Sequence, residues 1–449
     1  MGEGMKLAAQ LDVDVVALQT DEEVTCLLRL EAPPVDDAPD RPGETLIVVA
    51  DRSASMAGAP LNAVRSALHG LVDRMKPQDS FGLVTFDNRA ELQIPTLAMS
   101  EHHAPTVHAL IDRVRAGRTT DLSGGYLLGL DQARRHPSAT GSHVLLLSDG
   151  HANTGIVNPS QLGALAAQGH DDGVSTATIG IGPGYDESLL VEIANQGKGA
   201  HRFAYTADDA EAVLTQEAGD LMSKSAVNVF LRIRPEDPRL IDRIGTLADA
   251  TRWTETGPDG HPEVVIPLGD MYSGEAREIL FQINIPGMAM LGAQGIATLA
   301  IEYVVLPDLE SQRITWPISI NVVPGDQASH RIPDPTVTTA RLIAEVNRTK
   351  KDASEALRVG NIDRAAHLMD TEALRLSEAA DALPSGTPEA DDLRTRLHEE
   401  AEQARKLATG AREREAHLAR KSFEEDRYYG DRWINDTARS RERRTRRDW

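Results

Sequence analysis

A single cysteine, Cys26, stands in a chain of 449 residues. No internal disulfide can form, and a metal cluster built on several thiolates is excluded. Aromatic residues are scarce at 4%, so the cores must be assembled mainly from Ala, Val, Leu and Ile. No apolar run approaches the roughly 18–20 residues that a helix needs to span a bilayer, and no membrane insertion is expected. Met1–Gln10 has neither the basic n-region nor the apolar h-region of a signal peptide, so a cytoplasmic protein is expected. Basic charge is in deficit as well. The formal net charge of −22 argues against nucleic acid as the main partner, because phosphate binding needs a basic footprint. The exception is local: Arg439, Arg441, Arg443, Arg444, Arg446 and Arg447 crowd into Ala438–Trp449. Residues 429–449 read as a basic, disordered, solvated tail, with a docking tail as the alternative.

What is present changes character along the chain, and its length suggests two to four domains. Arg outnumbers Lys and Ala is abundant, a composition typical of GC-rich bacterial genomes. Leu11–Leu18 and Glu23–Glu31 read as strands, and Pro33, Pro34, Pro39 and Pro42 make Ala32–Gly43 a linker. Thr45–Ala50 is a short continuous apolar run, as expected of a strand buried on both faces of a parallel sheet. Ser80–Phe86, Val144–Leu147 and Ser175–Ile181 read as further strands, His201–Ala204 as a short one, and Ala90–Ile94 as the second arm of a hairpin. Helical spacing occupies Pro60–Met75, Thr106–Val114, Leu122–Arg134, Ser160–Gly169, Glu187–Gln196 and Asp208–Leu221. This alternation implies an α/β domain with a mostly parallel sheet.

After about residue 225 the period changes. Ala226–Arg234, Glu263–Leu268, Arg277–Ile285, Ile296–Val305 and Arg313–Val323 are strand-like with no helix between them, which suggests an antiparallel sandwich. The N-terminal strands are expected to join it, and Trp253, Phe281 and Trp316 to pack its core. From Thr336 the sequence is helical: Thr338–Val359 and Ile362–Ala382, broken at Gly360-Asn361, then Glu389–Asp426. Ala356–Leu368 resembles one tetratricopeptide-like unit, with no second copy at a fixed period. The domains read as 1–42 (N-terminal strands), 43–222, 223–325 (sandwich), 336–428 (helices) and the tail. Removal of 336–449 is expected to leave a soluble fragment.

Directly after the first buried strand come Asp51, Ser53 and Ser55, spaced by two, where the chain turns toward a helix. Ligands of open α/β sheets bind at the carboxyl ends of strands, and one carboxylate with two hydroxyls offers hard oxygen donors to Mg²⁺ or a similar cation. About 65 residues on, Arg118–Gly125 supplies Thr119 and Thr120 before a helix. Leu145–Gly150 then places Asp149 at the end of another buried strand. This trio of segments, with the Ser80–Phe86 strand and the Ile179–Gly182 strand end, resembles the metal-ion-dependent adhesion site of von Willebrand factor A domains. The resemblance covers about 175 residues, from 43 to about 218.

With the sandwich and helices read above, the expected fold is multidomain α/β, all-β and all-α. A Rossmann-like doubly wound A-type domain is inserted in, or precedes, a β-sandwich, and a C-terminal helical bundle follows. The resemblance implies a metal site of Asp51, Ser53, Ser55, Thr120 and Asp149, with Thr120 preferred to its neighbour Thr119. Ala54 departs from the glycine the family often has there. The expected ion is Mg²⁺, with Mn²⁺ or Ca²⁺ as substitutes, and the expected partner is a protein that presents Asp or Glu to it. No nucleophile–base pair or second metal is evident, so an interaction module rather than an enzyme is expected. An alternative is an adaptor of a MoxR-type or chelatase-type AAA+ ATPase. The chain lacks a phosphate-binding loop of its own, so it would not be the motor. A signalling scaffold is the other alternative. Capping of a helix by Ser or Asp explains one residue of the first loop but not three loops together. A phosphoryl-accepting role for Asp51 lacks the second Asp, where Ser53 stands. His102, His103 and His108 read as an exposed loop and helix start, and His151 and Asn153 as plain surface residues bordering the third loop, with shaping of partner choice as the alternative.

Overall fold

The computed structural model describes residues 4–33, 42–138, 141–149, 152–182, 187–204, 207–221, 224–246, 252–257, 259–306, 310–384 and 386–413, and a few positions between 419 and 426. The arginine-rich end and much of the Pro-rich linker lie outside the described residues. Two compact units are present: Met1–Val35 together with Ser225–Trp449, and Asp36–Lys224. Among the described residues no helix is long and apolar enough to cross a membrane.

The chain opens with β1 (Lys6–Leu11), β2 (Val15–Ala17) and β3 (Glu22–Glu31). The single strand expected over Leu11–Leu18 is instead broken after Leu11. The Asp12 carboxylate accepts from the backbone N–H of Val13 and of Thr25, both at 2.8 Å, and this side-chain bonding competes with continued strand pairing.

The second unit follows: β4 (Thr45–Asp51), α1 (Ala59–Val72), β5 (Ser80–Phe86), β6 (Ala90–Ala98), α2 (Ala104–Asp112), α3 (Leu122–Arg135), β7 (Ser142–Ser148), α4 (Pro159–Asp171), β8 (Val174–Ile181), α5 (Glu187–Gln196), β9 (Lys198–Ala204) and α6 (Ala207–Leu221). Its sheet has the order β6-β5-β4-β7-β8-β9. All neighbours are parallel except the β5–β6 hairpin at one edge. Every residue of β4 is buried, and its apolar side chains alternate between two cores. Leu46, Val48 and Ala50 join Leu61, Val64 and Leu68 of α1, whereas Ile47 and Val49 join Leu122, Tyr126 and Leu130 of α3. At roughly 1.5–3 kcal/mol per buried aliphatic side chain, this one strand contributes heavily to the unit's stability. The sequence runs right from β4 to β5 on one side and, later, to β7 on the other. Strand order therefore reverses at the carboxyl end of β4, the place where open α/β sheets form a crevice.

Back in the first unit, the chain forms β10 (Lys224–Pro235), β11 (Ile244–Thr246), β12 (Trp253–Thr256), β13 (Pro262–Tyr272), β14 (Ala276–Ile285), β15 (Gly292–Val305) and β16 (Glu310–Val323). Helices follow: α7 (Gly325–Ala328), α8 (Pro335–Arg358), α9 (Ile362–Ala382) and α10 (Pro388–Glu413). A four-stranded sheet, β1-β3-β14-β11, faces a six-stranded one, β12-β13-β10-β15-β16-β2. Between them Cys26, Leu28, Phe281 and Ile283 meet Leu231, Ile233, Leu299 and Ile320. Phe281 is in the core, but Trp253 and Trp316 are each 41% exposed, against expectation. Both sit at the rims of the six-stranded sheet, where one side lacks a neighbour. β12 is its edge strand, and β2 covers β16 only at Asn321–Val323.

The outer face of the four-stranded sheet is covered in turn. Leu27 and Leu280 pack against Val337, Ala340 and Ile343 of α8. Buried Arg396 of α10 reaches Glu278 of β14 at 3.1 Å. A chain ending at Asp334 would uncover this apolar face and leave Glu278 with only half-exposed Arg29. We expect it to aggregate in size-exclusion chromatography, contrary to what the sequence suggested. In the α/β unit, a Cβ added at Gly125 of α3 would fall 2.5 Å from the ring of buried Phe86. Overpacking costs about 1–3 kcal/mol, and alanine regains about 1 kcal/mol in a helix. Gly125→Ala should therefore lower stability by up to about 2 kcal/mol, measured by urea denaturation followed by circular dichroism.

Candidate functional site

β4 ends in Asp51, and the chain then leaves the sheet through a 3-10 turn, Ala54–Met56, before Gly58 (φ +89°) lets it enter α1. Asp51 is wholly buried, and its carboxylate is held by hydrogen bonds. Oδ1 accepts from the Ser53 backbone N–H at 2.7 Å, and Oδ2 from the Ser148 hydroxyl of β7, also at 2.7 Å. Ser53 precedes the turn yet makes no side-chain cap to it. Its hydroxyl lies instead 3.1 Å from that of Ser55. Ser55 in turn donates to Asp149 Oδ1 at 2.9 Å. Helix capping therefore does not account for the Asp-x-Ser-x-Ser spacing. The hydroxyls form a chain between two carboxylates on adjacent parallel strand ends.

The second loop reaches this place through its backbone. Gly117 N–H donates to Arg52 O at 2.6 Å, and Ala54 N–H to Arg118 O at 3.1 Å. A Cβ at Gly117 would overlap the Asp87 carboxylate at 1.9 Å, so only glycine lets the loop run this close. Thr120 is buried, whereas Thr119 is exposed. Thr120 N–H donates to Asn153 Oδ1 at 3.1 Å, and its carbonyl accepts from the backbone N–H of Asn153 and Thr154. Asp121 is spent locally as the cap of α3, accepting from Gly124 N–H at 2.9 Å and from the Ser123 hydroxyl at 2.8 Å. Gly155, at φ +75°, packs against Ser123 and Asp121, and Ile156 N–H donates to the Ser123 hydroxyl. The structure thus joins Asp51, Ser53, Ser55 and Asp149 by side-chain contacts. It ties the Thr120 loop to both of their loops by backbone.

Sequence reasoning gave no role to Ser148, Arg52 or Asp87, and read Asn153 as a surface residue bordering the third loop rather than as the acceptor of the Thr120 N–H. Ser148 was detectable in principle, as the residue before Asp149 on a fully buried strand. Arg52 bridges Asp87 at 3.4 Å and Glu91 at 3.1 Å, an ion pair formed by folding and invisible beforehand. His102, His103 and His108 do not form a cluster. His102 contacts Phe81 O, His103 contacts Thr106, and His108 is only 28% exposed and meets His69. His151 lies outside the described residues.

The electrostatics fit a cation. Among the described residues neither Asp51 nor Asp149 has a basic partner, and no three of His, Cys, Asp and Glu gather to hold a metal ion. Two carboxylates and three hydroxyls are the donors on offer. Burial raises Asp51 above the ordinary carboxylate range, against the Ser148 and Ser53 hydrogen bonds. Burial, reinforced by the Asp51 charge, pushes Asp149 up to about 6, against the Ser55 hydrogen bond. A divalent ion beside these groups would remove both penalties.

With this geometry in place, the comparisons with known proteins are informative. A family model for the von Willebrand factor type A domain matches residues 45–218. The α/β unit is such a domain, a class of module that mediates protein–protein interactions. The solved von Willebrand factor type A protein from Catenulispora acidiphila is similar over 90% of each chain, with a TM-score of 0.69 at 18% identity. The ArnB paralog VWA2 from Sulfolobus acidocaldarius is similar over 96% of this chain and 98% of that one, with a TM-score of 0.59 at 14% identity. Both likenesses extend over sandwich and helices as well. The protein YfbK of Escherichia coli (strain K12) is 26% identical over 249 residues, 55% of this chain and 42% of that protein. The chain spans less than two thirds of the length of the curated relatives it matches.

A raised carboxyl pKa has a definite sign. Between about pH 4 and 6 folded Asp149 holds a proton that the unfolded chain has lost, so the stability this adds is present at acid pH and is lost as pH rises through about 6. A cation must compete with the same proton. Mg²⁺ affinity should therefore rise from pH 5 to pH 7 and level off above, as read by calorimetry. Asp149→Asn should abolish that rise without lowering the melting temperature of the metal-free protein at pH 7.

Proposed function

We propose that Asp51, Ser53, Ser55, Thr120 and Asp149 form a metal-ion-dependent adhesion site that captures an acidic residue of another protein. The observation that carries this reading is the pair of partly or wholly buried carboxylates joined by two serine hydroxyls at the switch point, with no basic side chain among the described residues to neutralise them. A structural role would favour an Asn or an ion pair here, because an uncompensated buried charge costs several kcal/mol. Retaining both charges makes physical sense when a cation shares the site.

The donor set points to a hard ion, Mg²⁺ first, with Mn²⁺ or Ca²⁺ able to replace it. Ser53, Ser55 and Thr120 supply neutral oxygens, and Asp51 and Asp149 supply the charge. When bound, the ion would keep part of its positive charge and attract a carboxylate from outside. Among the described residues Ser55 and residues 153–155 beyond β7 are exposed, so a partner would approach there. Ser148 and Asn153 position the donors, Ser148 through the Asp51 carboxylate and Asn153 through the Thr120 backbone. The first unit's sandwich and helices would then present the domain in the way a larger assembly requires.

Calorimetry with Mg²⁺ on the full chain tests the metal. Asp51→Ala and Asp149→Ala should each lose more than the roughly 10–100-fold that removing an outer-sphere partner costs, with the fold intact by circular dichroism. Equal affinity in wild type and both variants would refute the site. Affinity capture in Mg²⁺ and again in EDTA tests the partner: a protein retained only with the ion, and lost in the Asp51→Ala chain, is the expected outcome.

A further inference from the structure

Away from this site, two helices of the α/β unit assemble a symmetric group that the proposed function leaves unused. His69 and Asp73 stand four residues apart at the end of α1, and His108 and Asp112 four apart on α2. The pairing crosses between helices. His69 Nε2 lies 3.0 Å from Asp112 Oδ1, and His108 Nε2 lies 3.1 Å from Asp73 Oδ1. The two rings lie nearly parallel, with centroids 4.8 Å apart and 21° between their planes, and meet edge to edge. Their Nδ1 atoms face each other at 2.6 Å.

Each Nε2 faces a carboxylate, which can only accept, so in the neutral ring that nitrogen carries the proton. Both Nδ1 atoms are then bare lone pairs pointing at one another. At 2.6 Å two lone pairs repel, and the arrangement requires a cation between them. That cation is either a proton or a metal ion.

We infer that His69 and His108 bind a divalent transition ion of the Zn²⁺ or Cu²⁺ class through their Nδ1 atoms, with water completing its coordination. Imidazole is a favoured ligand of these ions. A histidine that binds metal almost always hydrogen-bonds a carboxylate or carbonyl through its other nitrogen, and here both rings do. Two metal–nitrogen bonds of 2.0–2.1 Å at a tetrahedral angle span about 3.3 Å, so the rings need to part by less than about 1 Å. Asp73 and Asp112 balance the double charge. Both imidazoles are a little over a quarter exposed, 28% and 29%, so an ion can reach them from solvent. With two protein ligands the ion would exchange readily, and it would clamp the end of α1 to α2.

The test uses the full chain, stripped with a chelator and held in excess Mg²⁺ so that oxygen-donor sites do not compete. Zn²⁺ is titrated by calorimetry, and Cu²⁺ loading is followed by electron paramagnetic resonance. One equivalent should bind, with nitrogen couplings from two imidazoles. His69→Gln and His108→Gln should each lose it. Asp73→Asn and Asp112→Asn, which keep the rings and preserve the fold, should weaken it about 10–100-fold. Unchanged Zn²⁺ affinity in the four variants overturns the inference. So does a wild type that binds neither ion, with nitrogen-15 spectra showing one proton shared between the Nδ1 atoms.

Discussion

The α/β unit is organised around a carboxylate that its strand cannot help but bury. β4 lies between β5 and β7 with helices on both faces, so its last residue is as enclosed as its first. Placing Asp51 there sets a charge where desolvation opposes it, and Asp149 on the neighbouring strand end adds repulsion. The surrounding polar groups answer this strain without cancelling it. Ser148 and the Ser53 amide donate to Asp51, Ser55 donates to Asp149, and Arg52 is committed to Asp87 and Glu91. A close contact at Gly155 holds the third loop against the second, and Gly117 and Gly125 let the second loop and α3 pack against Asp87 and Phe86. The site is thereby pre-shaped by packing that has nothing to do with metal chemistry.

The other unit solves a different problem. Its four-stranded sheet has apolar residues on both faces, so the sandwich interior satisfies only one of them. α8 covers the second face through Leu27 and Leu280, and Arg396 from α10 reaches Glu278. Lys350 of α8 is fully buried, 3.1 Å from Asn347 and 3.5 Å from Glu400. Removing one partner of such buried pairs costs about 3–5 kcal/mol, which fixes one register of helices rather than adding much net stability.

How far the sequence revealed this depended on whether a feature was local. The alternation of apolar runs with helical spacing was enough for the fold class, and the strand-end positions of Asp51 and Asp149 follow from it. The hydroxyl chain could be suspected because Ser53 and Ser55 share one short segment. Trp253 and Trp316 misled because aromatic strand residues suggest core, and sheet-edge position is set by pairing with distant strands. The break at Asp12 was hidden by a side chain bonding to Thr25, on the next strand of the sheet. The crossed pairing of His69 with Asp112 joins two helices 43 residues apart in sequence, with no periodicity to announce it.

The interruption of the first unit by the second bears on how the protein is made. β3 pairs with β14, Leu28 opposite Ile279, about 250 residues later in the chain. At roughly 5–20 residues per second, a ribosome takes some tens of seconds to deliver that partner. Throughout this interval β1 and β3 can zip together as a hairpin, but the free edge of β3 and the apolar side chains of Cys26, Leu28 and Leu30 stay uncovered. The A-type domain, which one continuous stretch of the chain forms, can finish folding meanwhile. Nascent chains would then pass through a stage with one domain complete and a sticky amino-terminal ribbon, the period in which chaperone capture or self-association is decided.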